Sequence, residues 1–304
     1  MPNWSEVLHE IQHELNEKKN PTALDTVRRK YLSEVATKTG RNVIAYYSGW
    51  LQKPNSPDGA VNDKDKSAFM VNIHRMDRNK GLDLILHTPG GDLAATESIV
   101  DYLHNMFGND IRAIVPQISM SAGTMIALSC KEIIMGKQSN LGPIDPQMGG
   151  VACQAVIEEF EQAKADIRAN PASAALWQVI IGKYHPTFLG ACKKAIEWSV
   201  ELVEEWLGRN MCQGNKPLIK EILDEFSDHG RNKSHARHIS KEKCKSLGLQ
   251  IVDMESDNEL QDLILTTHHA FMHTFSNSGA VKIVENQMGV AYVEISRMKP
   301  LPEN

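Results

Sequence analysis

The stretch that decides the fold is Gln117-Ile118-Ser119-Met120-Ser121-Ala122-Gly123-Thr124-Met125-Ile126-Ala127-Leu128. It places a serine at a turn between an apolar strand and a helix of small and apolar residues. The first N–H groups of a helix have no partner inside the helix, so the N–H of Ala122 is free to bind an oxygen atom. An acyl-transfer enzyme would keep its nucleophile at such a turn. A plain helix-capping role for Ser119 or Ser121 is the structural alternative.

Strands alternate with helices on both sides of this turn. Apolar runs predict strands at residues 42–47, 82–87, 111–115 and 132–135, and helical periodicity predicts helices at 63–76 and 93–107. This alternation predicts an α/β fold with a mostly parallel sheet that is covered on both faces. Sites on such sheets lie at the carboxyl ends of the strands. We therefore expect the turns that follow these strands to meet in space.

A second turn of this kind is His87-Thr88-Pro89-Gly90-Gly91-Asp92. Two consecutive glycines let the backbone approach a ligand closely with its N–H groups exposed, and such a turn can supply a second oxyanion donor. We expect Gly90 and Asp92 to contact the substrate. The turn lacks the spacing of a dinucleotide or P-loop fingerprint, which disfavours nucleotide binding.

A serine nucleophile needs a general base. Lys164 lies on an apolar helical stripe with Ile157, Phe160 and Ile167, and burial there would favour the neutral amine that a base must be. The alternative is an exposed lysine that pairs with Glu161. Further candidate bases are Lys183, His185, His235 and His238.

The bulk composition is that of an ordinary globular protein. Of the 304 residues, 41% are hydrophobic and 23% are charged, and the net charge of -5 favours neither nucleic acid nor anionic lipid as a partner. No signal peptide or membrane-spanning stretch is evident, and the five cysteines show no paired spacing. These features predict a cytoplasmic protein with reduced thiols. His269 and His273 lack the companion residues of a metal motif, so no metal is expected.

The predicted organisation has three parts. Residues 1–38 form N-terminal helices, and residues 39–255 form the main domain with a helical insertion at about 156–226. Residues 256–304 form a C-terminal helix and hairpin.

Three segments together carry a family resemblance: the Pro89-Gly90-Gly91 turn, residues 119–124, and residues 135–147. Their combination resembles the Clp protease/crotonase fold as used by signal peptide peptidase A, and more narrowly the serine dehydrogenase proteinase family. The resemblance implies a repeated β-β-α core, Ser121 as nucleophile, and Gly91 and Ala122 as oxyanion donors. It also implies assembly into homo-oligomeric rings.

In related serine/lysine peptidases the base is a helix lysine that follows the serine by about forty to fifty residues, which favours Lys164 over Lys183. The Clp protease itself has a histidine in the region matched here by residues 144–146. This chain has Asp145 there. A serine-histidine-aspartate triad of the Clp layout is therefore not expected.

The function expected on this basis is a cytoplasmic serine endopeptidase that forms an acyl-enzyme on peptide or protein substrates and needs no cofactor. The lack of an evident membrane anchor makes signal peptides within a membrane doubtful substrates. Two other hypotheses stay open. One is a crotonase-like acyl-CoA enzyme, which would use glutamates for proton transfer, and the other is a non-catalytic peptide-binding scaffold.

Overall fold

Strands and helices alternate along the chain in a computed structural model, which describes residues 4–54, 56–227 and 234–296. The strands are β1 (Asn42–Ser48), β2 (Leu82–His87), β3 (Ile111–Val115), β4 (Ile118–Ser119), β5 (Glu132–Met135), β6 (Asn140–Leu141), β7 (Gln147–Met148), β8 (Val151–Ala152), β9 (Ile239–Ser240), β10 (Ile251–Asp253), β11 (Ala280–Asn286) and β12 (Ala291–Ile295). The α-helices are α1 (Trp4–Asn16), α2 (Ala23–Thr39), α3 (Lys64–Ile73), α4 (Leu93–Phe107), α5 (Ala122–Leu128), α6 (Cys153–Ala169), α7 (Ala174–Ile181), α8 (Phe188–Arg209), α9 (Lys216–Ser227), α10 (Lys241–Ser246) and α11 (Asn258–Asn277).

Seven of the strands form one central sheet in the order β10-β5-β3-β2-β1-β11-β12. The five strands from β10 to β1 run parallel, and β11 pairs antiparallel with both β1 and β12. Every residue of β1 and β2 is buried, because helices cover both faces of the sheet. The predicted α/β class and the mostly parallel sheet are confirmed.

The C-terminal segment belongs to the same sheet. β11 pairs with β1 along its length, from Ile44 opposite Asn286 to Ser48 opposite Lys282. Helix α11 packs against α2 and contributes Phe271 and Phe275 to the core beneath β1. The segment expected as a separate part from residue 256 therefore shares its core with the main domain.

Helices α6 to α9 form the helical insertion, and these helices differ in burial. The carboxyl half of α8 buries Val203, Trp206 and Leu207 in the main core. Helix α7 has no buried residue. The insertion is therefore anchored through α8 and α9 while α7 stands out from the domain.

One buried carboxylate forms hydrogen bonds at the amino ends of three neighbouring strands, β1, β2 and β3. Asp83 on β2 has no exposed surface. It accepts hydrogen bonds from Arg41 Nε at 2.7 Å and from Arg112 Nε and Nη2 at 2.7 and 2.6 Å. Arg41 precedes β1 and Arg112 lies on β3, so one side chain joins the starts of three neighbouring strands.

A group of aromatic rings lies where β2 ends. The His87 ring is buried 4.4 Å from the Trp50 ring and 5.0 Å from the His268 ring, between centroids. The Tyr47 hydroxyl lies 3.3 Å from His268 Nδ1. Burial lowers the pKa of His268 to about 3 and lowers that of His87 well below its usual value. Both rings are therefore neutral in the folded protein near neutral pH.

The Asp83 cluster predicts a large loss of stability on truncation. Asp83→Ala should lower the free energy of unfolding by about 3 kcal/mol, because two partly buried guanidinium groups lose their buried carboxylate and keep only the more exposed carboxylates of Asp110 and Glu132 as partners. Urea denaturation measures this. The control is Glu161→Ala, which removes an exposed ion pair with Lys164 and should leave the unfolding midpoint nearly unchanged. Equal midpoints for both variants would contradict the assigned role of Asp83.

The buried histidines predict that acid destabilises the fold. Below about pH 6.5 the unfolded chain binds protons on His87 and His268 that the folded chain excludes, so stability is lost as the pH falls toward 3. Each histidine contributes up to about 1.4 kcal/mol per pH unit. His268→Phe should flatten this dependence when unfolding free energy is measured from pH 7 to 5. His9→Gln, at an exposed site, serves as the control and should keep the wild-type slope.

Candidate active site

Ser121 lies on a strained turn between β4 and α5. Its backbone has φ 49° and ψ −116°, a region that non-glycine residues rarely occupy and that costs on the order of 1–3 kcal/mol. Its side chain makes no capping hydrogen bond to the helix. The conformation presents the hydroxyl at the start of α5 instead, which argues against the structural alternative of a plain helix cap.

Hydrogen bonds on both sides hold this turn. Gly123 N donates to Met120 O at 2.8 Å, and the Thr124 hydroxyl donates to Ser119 O at 2.8 Å. Met120 N donates to Thr88 O at 3.0 Å, which connects the serine turn to the turn after β2. The strain at Ser121 is therefore offset by bonds from its neighbours.

The glycine turn packs directly against the serine. Gly90 has φ 94°, and a Cβ atom there would lie 2.6 Å from Ser121 Cβ and 2.9 Å from Ala122 N. Only glycine fits this position. The structure thus brings together the two turns that the sequence predicted to meet. Gly90 is buried against the Ser121 turn, and its contact with substrate stays a prediction.

Two backbone N–H groups remain available next to Ser121. Among the hydrogen bonds of the described residues, none is donated by Gly91 N or by Ala122 N. The N–H groups around Gly91 are engaged, since Gly90 N donates to Thr88 Oγ1 and Asp92 N donates to Val61 O. The two donors predicted for an oxyanion therefore lie at one site with the serine.

A cavity of about 420 Å³ opens beside these groups and is lined by Ser121, Gly91 and Ala122. Apolar side chains form most of the remaining lining: Leu93, Met125, Ile144, Met148, Ala195 and Trp198. Asp92 also lines the cavity, while its carboxylate caps α4 by accepting from Ala95 N at 2.8 Å. The cavity can accept an apolar group next to the serine hydroxyl.

Lys164 lies outside this cavity. It is 54% exposed and its Nζ lies 2.6 Å from Glu161 Oε1. The prediction that Lys164 is buried is wrong. Helix α6 packs through the face that carries Cys153, Val156 and Ala163, and Lys164 lies outside that face. Lys183 and His185 are exposed as well and do not line the cavity.

A histidine from a distant segment lies on the other side of the serine turn. His235 Nδ1 is 2.8 Å from Oδ1 of Asp145, which is buried just after β6. His235 and His238 line a second cavity of about 490 Å³ together with Met120, the residue before Ser121. Gln147 lines both cavities. The sequence marked His235 and Asp145 separately, and no local pattern joins two residues 90 positions apart.

Within residues 4–54, 56–227 and 234–296 no group of three or more potential metal ligands converges. His273 Nε2 lies 3.1 Å from the Trp4 carbonyl, and the His269 ring packs edge-on against Trp4. No helix in the described part of the chain has the length and apolar content needed to cross a bilayer.

The chain matches one protein family and is similar to two other proteins. A family model described as a ClpP-like SDH-type serine proteinase matches residues 15–277. The chain is similar to an uncharacterized protein of Methanocaldococcus jannaschii, with 28% identity over 221 residues that cover 73% of this chain and 69% of that protein. It is also similar to a second uncharacterized protein of the same organism, with 35% identity over 97 residues, about a third of each chain.

The family model spans most of the chain and includes both turns of the site. The sheet order and the strand-turn-helix at Ser121 fit the fold that the family description names. We conclude that this chain belongs to the ClpP-like SDH-type serine proteinases.

Proposed function

We propose that the protein is a serine endopeptidase in which Ser121 attacks the peptide carbonyl and His235, oriented by Asp145, is the general base. The observation that carries the proposal is that Ser121 lines one cavity together with Gly91 and Ala122, whose backbone N–H groups donate no hydrogen bond within the described residues. Membership of a serine proteinase family supports peptide hydrolysis and argues against acyl-CoA chemistry. The intact serine argues against a purely binding role.

The chemistry follows from these positions. Nε2 of His235 takes the proton of Ser121 as its oxygen attacks the carbonyl carbon, and the N–H groups of Gly91 and Ala122 bind the resulting oxyanion. His235 then returns the proton to the leaving amine, which departs and leaves an acyl-enzyme. A water molecule, activated by the same histidine, hydrolyses that ester and frees Ser121.

The contact between His235 and Asp145 supports this choice of base. Asp145 engages Nδ1 of His235, so Nε2 is the ring nitrogen that can take the serine proton, and a buried carboxylate stabilises the imidazolium that forms. The order of these residues in the chain is serine, aspartate, histidine. In the Clp layout, which the sequence disfavours, a histidine stands in the region where this chain has Asp145. In a free enzyme the bond between serine and histidine often tightens only when substrate binds.

Lys164 is the rival base within the same proposal. Its support is the spacing after Ser121 in serine/lysine peptidases, whereas its exposed pair with Glu161 would have to break before it could act. The cytoplasmic location and the homo-oligomeric ring expected from the sequence also stay predictions. The exposed apolar side chains Leu176 and Val179 of α7 are compatible with a subunit contact.

A fluorophosphonate probe distinguishes the two bases. The probe should label wild-type protein at Ser121 and should not label Ser121→Ala. His235→Gln should slow labelling by about 100-fold or more, because the serine loses its general base. Asp145→Asn should slow it too, while Lys164→Ala should label at the wild-type rate. Mass spectrometry identifies the site, and labelling rates measure the effect.

Circular dichroism and thermal melting establish that each variant is folded. Labelling that survives His235→Gln and is lost in Lys164→Ala would replace the histidine by the lysine. A folded wild type that is never labelled would refute the peptidase proposal.

The apolar cavity predicts the preferred substrates. The oxyanion donors line the first cavity, so it should receive the side chain of the residue whose carbonyl is attacked. The second cavity, which His235 lines, should then receive the leaving-amine side of the peptide. Peptides with leucine, methionine or phenylalanine at that position should be cleaved best. Ala195→Trp fills the cavity and should lower kcat/KM for the phenylalanine peptide by about 10-fold or more, with less effect on an alanine peptide.

The matched control is Ala175→Trp, the same substitution on the exposed helix α7. It should leave the ratio of kcat/KM for the phenylalanine and alanine peptides unchanged. A ratio that is the same in wild type and Ala195→Trp would assign the first cavity to another part of the substrate.

A further inference from the structure

A buried ion pair lies on the other side of the glycine turn from Ser121. Lys282 on β11 is 2% exposed and Asp65 on α3 is 1% exposed. Lys282 Nζ lies 2.8 and 3.0 Å from the two carboxylate oxygens of Asp65, and the Tyr46 hydroxyl donates to Asp65 Oδ2 at 2.7 Å. Taking two charges out of water is costly, and well-packed apolar residues often stabilise a core equally well. The pair therefore needs a reason beyond stability.

The pair binds the backbone of the segment before α3. Lys282 Nζ donates to Ala60 O at 2.6 Å, and Asn62 N donates to Asp65 Oδ2 at 2.9 Å. These two bonds lie immediately before and after Val61. The buried charges thus fix the position of Val61 from both sides.

Val61 in turn binds the glycine turn. Val61 N donates to Gly90 O at 2.8 Å, and Asp92 N donates to Val61 O at 2.9 Å. A Cβ atom at Gly91 would lie 2.4 Å from both Val61 N and Val61 O, so the two backbones are in direct contact. The peptide groups on both sides of Gly91 are therefore held by one residue.

We propose that Asp65 and Lys282 are positioning residues that, through Val61, aim the Gly91 N–H at the oxyanion. The inference rests on the proposed function of Ser121, because an oxyanion forms only in acyl transfer. Preorganised donors are effective because their geometry is set before the reaction, and the loss of one donor costs about 100-fold to 1,000-fold in kcat. Loosening Val61 should cost part of that factor, since Gly91 would remain present but less well aligned.

The test replaces both charges at once, so that neither is left buried and unpaired. In Asp65→Leu/Lys282→Met we expect kcat to fall by about 10-fold to 100-fold with KM within about 3-fold of wild type, as for an interaction made only in the transition state. Hydrogen exchange read by NMR should show at least about 10-fold faster exchange of the Val61 and Asp92 amides. The amides of β1 and β2 should keep their wild-type exchange rates.

Tyr46→Phe is the matched control. It removes one hydrogen bond from the same buried cluster but keeps the ion pair and its bonds to residues 60 and 62, so kcat and both amides should stay near wild type. Asp65→Asn/Lys282→Met is a milder second variant in case the first does not fold. It removes the bond to Ala60 O, and the same two amides should exchange faster.

The outcomes separate this inference from the proposed function. A folded variant whose Val61 and Asp92 amides exchange at the wild-type rate overturns the positioning role, whatever its activity. Faster exchange of those amides with unchanged kcat also overturns it. If the wild type hydrolyses no peptide and is not labelled at Ser121, the proposed function fails. The exchange measurement is independent of that result, and wild-type exchange rates of the Val61 and Asp92 amides in the variant would still reject the link through Val61.

Discussion

The close approach of two backbone turns, at Gly90 and at Ser121, is the constraint on which the rest of the site depends. No side chain fits between them, since a Cβ at Gly90 would lie 2.6 Å from that of Ser121. This contact places the N–H groups of Gly91 and Ala122 beside one hydroxyl. It requires that β2 and the segment after β3 end at the same edge of the sheet, which parallel neighbouring strands ensure.

Buried charges stabilise this arrangement at both ends of β2. Asp83, at its amino end, joins Arg41 and Arg112, and the Asp65–Lys282 pair lies near its carboxyl end. Such groups are costly unless every charge is paired and hydrogen-bonded, and these are. They restrict the strand ends to one geometry, which apolar packing alone specifies less tightly. We infer that stability and alignment of the site are served by different buried charges, one group at each end of β2.

The helical insertion contributes to the site without being part of the sheet. Its helix α8 buries Trp206 in the main core and places Ala195 and Trp198 at the cavity beside Ser121. Part of the surface that would contact a substrate side chain therefore comes from the insertion and not from the serine turn or the sheet. This separation allows specificity to change while the oxyanion donors stay in place.

The sequence by itself determined the α/β class, four strands of the parallel part of the sheet, the nucleophile candidate and the glycine turn, because each depends on a local pattern of apolar periodicity or on a turn that only small residues form. Tertiary structure decided the rest. Lys164 has the spacing of a base, yet the side of α6 that packs leaves it exposed. His235 meets Asp145, and Lys282 meets Asp65, only because the folded chain brings segments 90 and 217 positions apart into contact. Pairing at such distances depends on long-range packing, which no local pattern in a single sequence records.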